Sequence, residues 1–252
     1  MEDKEGKKIY CASDVHLGAP ALTNNRERER LFVSWLEEVR HDAAMIFLMG
    51  DIFDYWFEYK KVVPRGFSRT LGKIADIADS GIPVYFFTGN HDLWVFNYFT
   101  EELGIKVFHR EQRMCLMGKN FFLAHGDGLD PFDKGYHFLK KIFTNTFFQW
   151  AFARIHPNTG IAMAHAWSKK SRLTKAGGFP FKGKDNEGLY LCAQSIAEHE
   201  NVDYFIFGHR HLLLNLQMNE QAHFIILGDW ITHFSYGVFD GETFELKSYS
   251  KD

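Results

Sequence analysis

The chain has 252 residues, long enough to bury a substantial core in one sizeable domain. Its residues are 46% hydrophobic and 24% charged, the balance of a soluble globular protein, and the net charge of −3 carries no global signature of nucleic-acid binding. Three scattered cysteines, Cys11, Cys115 and Cys192, argue against a disulfide framework and a zinc knuckle. Cys11 and Cys192 lie in apolar runs and are expected to be small core residues. The opening Met1-Glu2-Asp3-Lys4-Glu5 has no signal-peptide core and no apolar run reaches spanning length, so a cytoplasmic location is expected.

In chain order, the apolar run Ile9–Ser13 predicts a buried strand. Leu31, Phe32, Trp35, Leu36 and Val39 then line one face of an amphipathic helix. Met45–Met49 predicts a second strand, and Leu71, Ile74, Ile77 and Ala78 a second helix that stops before Gly81. Strands follow at Val84–Thr88 and Phe121–Ala124, a helix around Leu189–Ala197, and strands at Tyr204–Phe207 and Phe224–Leu227. This is an α/β pattern of layered sheets covered by helices.

The stretch from Pro131 to Lys184 differs in kind. It holds ten Lys or Arg residues and one acid, Asp133, a net charge of +9 that leaves −12 on the rest of the chain. Its first half carries Tyr136, Phe138, Phe143, Phe147, Phe148, Trp150 and Phe152 around much of one predicted helix. A helix apolar nearly all round is buried or faces something apolar other than water. Pro157 is expected to break it, with a second helix running toward Arg172. The segment is predicted to be a helical insertion, at about 131–184, on a single domain spanning 1–252.

The polar motifs follow the apolar strands directly. They are Ser13-Asp14-Val15-His16, Gly50-Asp51-Ile52-Phe53-Asp54, Gly89-Asn90-His91-Asp92, His125-Gly126-Asp127 and Gly208-His209-Arg210-His211. In an open α/β sheet, sites are built at the carboxyl ends of strands. Carboxylates, imidazoles and one amide, without thiolate, suit Mn²⁺, Fe or Zn²⁺. Ligands from several strands with one carboxylate able to bridge suit a pair of divalent ions, which activates water and neutralises charge growing on a phosphoryl group. Each motif alone is weak, since Asn-Gly pairs favour turns and buried histidines are common. The five in this order, each at a strand end, point to a metal site rather than to turns and core histidines.

The constellation resembles the calcineurin-like metallophosphoesterase superfamily, whose pattern is D-x-H, G-D-x-x-D, G-N-H-[DE], H-G-[DH] and G-H-x-H; the matching blocks span residues 14 to 211. The resemblance implies a four-layer αββα sandwich. It also implies that Asp14, His16 and His211 hold one metal and Asn90, His125 and His209 the other, with Asp51 bridging. His91 would then stabilise the transferring phosphoryl group or protonate the leaving oxygen. Asp92 would orient His91 or a metal-bound histidine. Asp54 is not expected to be a ligand, and Asp229 is expected to be a turn residue at least as readily as a functional one.

The chain more specifically resembles the UDP-2,3-diacylglucosamine pyrophosphatases of lipid A synthesis. Gly50-Asp51-Ile52-Phe53-Asp54-Tyr55-Trp56 is similar to that family's G-D-[LI]-F-[DE]-x-W, and the spacing from His125-Gly126-Asp127 to Asp133 and Tyr136 matches its H-G-D…D-x-x-Y. Ser168-Lys169 followed by Lys175 fits its S-K segment. This implies a lipid-linked nucleotide sugar as substrate, cleaved to UMP and 2,3-diacylglucosamine 1-phosphate, with Asn90, His91, Asp133, Tyr136, Ser168, Arg172 and Lys175 contacting it. Two chain positions depart from the pattern: Arg172 stands where the family tends to carry Asn, and His91 where it commonly carries Arg. The expected cofactors are two divalent ions, Mn²⁺ first, with Zn²⁺ or Fe as alternatives. An apolar groove beside Lys169, Arg172 and Lys175 would suit acyl chains next to a diphosphate, and peripheral contact with an anionic membrane, the cytoplasmic face of an inner membrane. No nucleic acid and no obligate protein partner are expected. The competing readings are a phosphodiesterase or phosphatase for soluble nucleotides or phosphoproteins, and a non-catalytic metal-bound scaffold.

Overall fold

A computed structural model describes residues 6–174 and 180–250, apart from the side chains of 170–174. The first half runs β1 (Lys8–Ala12), α1 (Asn25–Val39), β2 (Ala43–Met49), α2 (Ser68–Asp79), β3 (Val84–Phe87), α3 (Tyr98–Glu102), β4 (Lys106–Phe108), β5 (Gln112–Leu116) and β6 (Lys119–Ala124). Three helices follow, α4 (Lys134–Phe143), α5 (Thr146–Phe152) and α6 (Pro157–Thr174). The chain closes with α7 (Gly188–Ala197), β7 (Tyr204–Phe207), β8 (Leu213–Gln217), β9 (His223–Leu227), β10 (Ser235–Phe239) and β11 (Phe244–Ser248).

The strands form a six-stranded sheet, β11-β10-β1-β2-β3-β4, and a five-stranded sheet, β5-β6-β7-β9-β8. Strand alternation sorts the side chains into three apolar layers. Tyr10 and Ala12 of β1 face outward, with Ile46 and Leu48 of β2, onto Phe32, Trp35 and Leu36 of α1 and Ile74 and Ile77 of α2. Ile9 and Cys11 point the other way and meet Phe121, Leu123, Ile206 and Ile225 of the second sheet. Phe122, Phe205 and Phe224 cover the far side of that sheet against Leu189, Tyr190 and Ala193 of α7. The result is the four-layer helix–sheet–sheet–helix sandwich.

In the first sheet β1, β2 and β3 run parallel, as do β6, β7 and β9 in the second. The two sheets therefore bring the carboxyl ends of six strands to one end of the sandwich. Every motif noted above sits there.

The aromatic segment departs from the single predicted helix. It is two helices, because Asn145 has extended backbone and its side chain accepts from Phe147 N and Phe148 N, ending one helix and capping the next. Asp133 caps α4 in the same way, accepting from Tyr136 N at 2.9 Å. Pro157 opens α6, a position where its missing N–H costs nothing.

Candidate active site

The motif residues hold unusual backbone. Among the described residues the non-glycine positions with positive φ are Asp14, His16, Asp51, Met117, His209, His211 and Phe234. Five of these belong to the motifs. Left-handed backbone at Asp and His costs about 1–2 kcal/mol each and persists where surrounding structure enforces it, commonly at functional sites. Glycine is needed where loops meet: a Cβ on Gly89 would collide with the Asp51 carboxylate, and one on Gly208 with the Ser13 hydroxyl.

These loops bring ligand-type atoms together. Asp14, His16 and His211 each offer one such atom within 4.8 Å of the others, as do Asp51, His125 and His209. His16, Asp51 and His91 satisfy the same criterion. His16 Nε2 lies 3.7 Å from both Asp14 Oδ1 and Asp51 Oδ2, and His125 Nε2 3.5 Å from Asp51 Oδ2. Asp51 thus stands between the two groups. Asp14 Oδ1, His16 Nε2, Asn90 Oδ1 and His125 Nε2 are buried without a hydrogen-bond partner. Leaving such atoms unpaired costs about 1–3 kcal/mol each. Buried oxygen and imidazole donors that converge and lack partners fit a pair of divalent cations, so this donor set could hold them.

The second nitrogen of several imidazoles is already engaged. His125 Nδ1 donates to Met49 O at 2.8 Å, and His211 Nδ1 faces Asp229 Oδ2 at 3.3 Å. His16 Nδ1 lies 3.3 Å from Asp54 Oδ1, near enough for electrostatic attraction but without hydrogen-bond geometry. In the neutral ring, acceptors on Nδ1 place the proton there and leave Nε2 with its lone pair, the tautomer a metal requires; in the metal-free site burial is outweighed by Asp51, which raises His125 to about 10, so a cation there displaces a proton. Burial, followed by the neighbouring His125, pulls His209 down to about 4, which keeps that ring neutral. Burial works against the Asp14 carboxylate, yet His211 and His16 outweigh it and hold it at about 2.

Asp229 combines both expectations. Its Oδ1 accepts from the backbone N–H of Ile231, Thr232 and His233, forming a turn, while Oδ2 faces His211. The expectation for Asp92 needs correction. Its buried carboxylate accepts four backbone N–H groups, from Asp51, Ile52, Phe53 and Gly89, and so ties the second motif loop to the third. The imidazoles are oriented instead by Asp54, Asp229 and the Met49 carbonyl. His91 Nδ1 donates to the main-chain oxygen of Asp54 at 2.9 Å, leaving its Nε2 to exchange a proton.

Beside these groups opens a cavity of about 580 Å³. Asn90, His91, Asp133, Tyr136, Ser168 and His209 reach it, and its apolar lining includes Trp94, Phe143, Phe152, Met163 and Trp167. The structure therefore gathers five of the seven residues expected to contact substrate. Lys175 and the side chain of Arg172 lie outside the described residues. Ser168 is buried and donates to Asp54 Oδ2 at 2.7 Å, so its hydroxyl is engaged by the protein. The Tyr136 hydroxyl similarly donates to Asp127 Oδ2, which also meets Lys140 Nζ at 2.6 Å.

The sequence model described as calcineurin-like phosphoesterase matches residues 7–213, the span that holds every one of these motifs. The chain belongs to this family. Phosphoesterases of this family use divalent metals, in keeping with the Asp and His groups described above. Among curated relatives, the UDP-2,3-diacylglucosamine hydrolase of Porphyromonas gingivalis is 41% identical over 96% of this chain and 97% of its own length. Proteins of the same name from Histophilus somni and Haemophilus influenzae are 27% and 26% identical, over 89% and 91% of this chain and 92% and 93% of their own lengths. This phosphoesterase is accordingly a metal-dependent hydrolase.

Proposed function

We propose that this phosphoesterase hydrolyses the diphosphate of UDP-2,3-diacylglucosamine, giving UMP and 2,3-diacylglucosamine 1-phosphate, as one domain with residues 131–184 forming a lid. The observation that carries this reading is the apolar cavity opening directly onto Asn90, His91 and His209. Walls of Trp94, Phe143, Phe152 and Met163 suit acyl chains beside a diphosphate. The relatives named above support the same substrate.

In this reading Asp14, His16 and His211 hold one divalent cation and Asn90, His125 and His209 the other, with Asp51 shared, and Mn²⁺ is the first choice. Such a pair supplies an activated water and neutralises charge on the phosphoryl oxygens. His91, fixed by the Asp54 carbonyl, hands a proton from Nε2 to the leaving phosphate oxygen. Asp92 keeps the Asp51 loop in place. Trp94, whose Nε1 donates to Phe143 O at 2.8 Å, joins the sandwich to the helices of the lid and helps exclude water.

Residues 131–184 also suit contact with a membrane. Phe132, Phe138, Phe147, Phe148, Trp150 and Trp167 are exposed, and Lys141, Arg154 and Lys169 are exposed beside them. Aromatic groups with flanking cations favour an anionic lipid surface, where the substrate resides. No helix among the described residues is long and apolar enough to cross a membrane.

The test is hydrolysis by Mn²⁺-loaded protein of UDP-2,3-diacylglucosamine beside the deacylated UDP-sugar, with Asp51→Asn as control. Turnover of the acylated substrate alone, absent in the control, is expected. Equal turnover of both, or of neither, would overturn the substrate assignment.

A further inference from the structure

Arg28 lies in α1, outside every motif, and is only 7% exposed. Its guanidinium donates to two main-chain carbonyls, from Nε to Trp230 O at 3.1 Å and from Nη2 to Val15 O, while Nη1 reaches Asn25 Oδ1 at 3.3 Å. Val15 sits between Asp14, at φ 56, and His16, at φ 47. Trp230 follows Asp229, the partner of His211, and its own N–H donates to Asp14 O at 3.1 Å. One side chain from the outer helix layer thus ties the loop after β1 to the loop after β9. Those two loops carry Asp14, His16 and the group that orients His211; they reach the other ligand set only at second hand, where His16 N donates to Asp51 O at 2.9 Å and His209 N to Asp14 Oδ2 at 2.8 Å.

The conformation of this stretch is not its resting one. Left-handed backbone on both sides of Val15 is disfavoured, and the chain relaxes toward ordinary geometry unless something holds it. The buried Val15 carbonyl supplies the handle. Without the guanidinium it would be an acceptor cut off from water, and the loop would have to move to satisfy it. A planar fork of donors reaches both carbonyls at once, which an ammonium cannot match.

We propose that Arg28 is the positioning residue for one of the two cations, the one held by Asp14, His16 and His211. This rests on the metal reading given under the proposed function. Arg28 acts through backbone, so its loss weakens that cation much more than the other, which feels it only through the Asp51 loop and the His209 N–H.

The experiment is Mn²⁺ titration of the metal-free full chain, followed by the electron paramagnetic resonance signal of free Mn²⁺, for wild type, Arg28→Met, Arg28→Lys and Arg30→Met. Arg30 is exposed on the same helix and controls for effects on α1. Wild type and Arg30→Met are expected to take up two ions. Arg28→Met is expected to keep one ion within a few-fold of wild-type affinity and bind the other about 10–100-fold more weakly, the usual effect of losing a group behind a ligand. Arg28→Lys, which holds one carbonyl, falls between and carries the test if the methionine variant does not fold. Raising Mn²⁺ should return kcat of the variants toward wild type with KM for substrate unchanged. Two ions at wild-type affinity in both Arg28 variants would overturn the proposal, and so would equal weakening of both ions. A wild-type chain that takes up no Mn²⁺ would remove the metal reading itself, visible before any variant is made.

Discussion

Asp92 offers the sharpest test of how the site is held. It is fully buried, and each carboxylate oxygen serves two backbone donors: Oδ1 accepts from Gly89 N at 2.7 Å and Asp51 N at 3.2 Å, Oδ2 from Ile52 N at 2.8 Å and Phe53 N at 3.3 Å. Asp92→Ala strands four buried N–H groups, at about 1–3 kcal/mol each, so a loss of at least about 4 kcal/mol is expected. Asp92→Asn keeps one acceptor and sets an amide donor against the other pair, but it also removes a charge that burial and the neighbouring Asp51 disfavour, pushing this carboxyl up to about 7, so its loss is at most about half that. At about 2–4 °C per kcal/mol for a chain of this size, Tm falls by at least about 8 °C for alanine and by no more than about half as much for asparagine. Thermal unfolding of metal-free protein by circular dichroism reads this directly, with hydrolysis measured alongside. An Asp92→Ala variant that unfolds within about 1 °C of wild type but loses turnover would refute the reasoning and restore Asp92 to a chemical role.

Three further outcomes are expected. His91→Gln should lower turnover about 10²–10³-fold with Mn²⁺ uptake unchanged; loss of uptake would instead make His91 a ligand, as its proximity to His16 and Asp51 permits. Met163→Asp, which puts a charge at the mouth of the apolar cavity, should raise KM for the acylated substrate and spare a small chromogenic diester. Equal loss on both substrates would show that the cavity is not the acyl site. Phe147→Asp combined with Trp150→Asp should abolish sedimentation with anionic vesicles while sparing turnover of detergent-dispersed substrate. Vesicle binding that survives would place membrane contact elsewhere.

Strands with one apolar run were legible because both their faces are buried: β2, β3, β7 and β9 match their predicted runs to within a residue or two. β5 and β8 were not, since they lie at sheet edges and alternate between exposed and half-buried positions, which mixes Arg113 or Asn215 into the pattern. The break at Asn145 was missed because the aromatic residues continue through it, and only the cap shows that the chain turns. Asp229 looked like a turn residue and is one; its second oxygen becomes functional only because β7 and β9 are neighbours.

The sequence alone determined the α/β class, the chemistry and the ligand-type residues, because each motif is local: an apolar strand, a glycine or left-handed turn, and a polar side chain at its end. The tertiary structure decided what lies across the loops. Which oxygen fixes each imidazole, that Asp92 ties two loops together, that Ser168 is engaged by Asp54, and that Arg28 reaches two carbonyls all depend on contacts between segments 13 to 202 residues apart. Such contacts are set by how sheets and helices pack, and short spacings in a chain do not encode them.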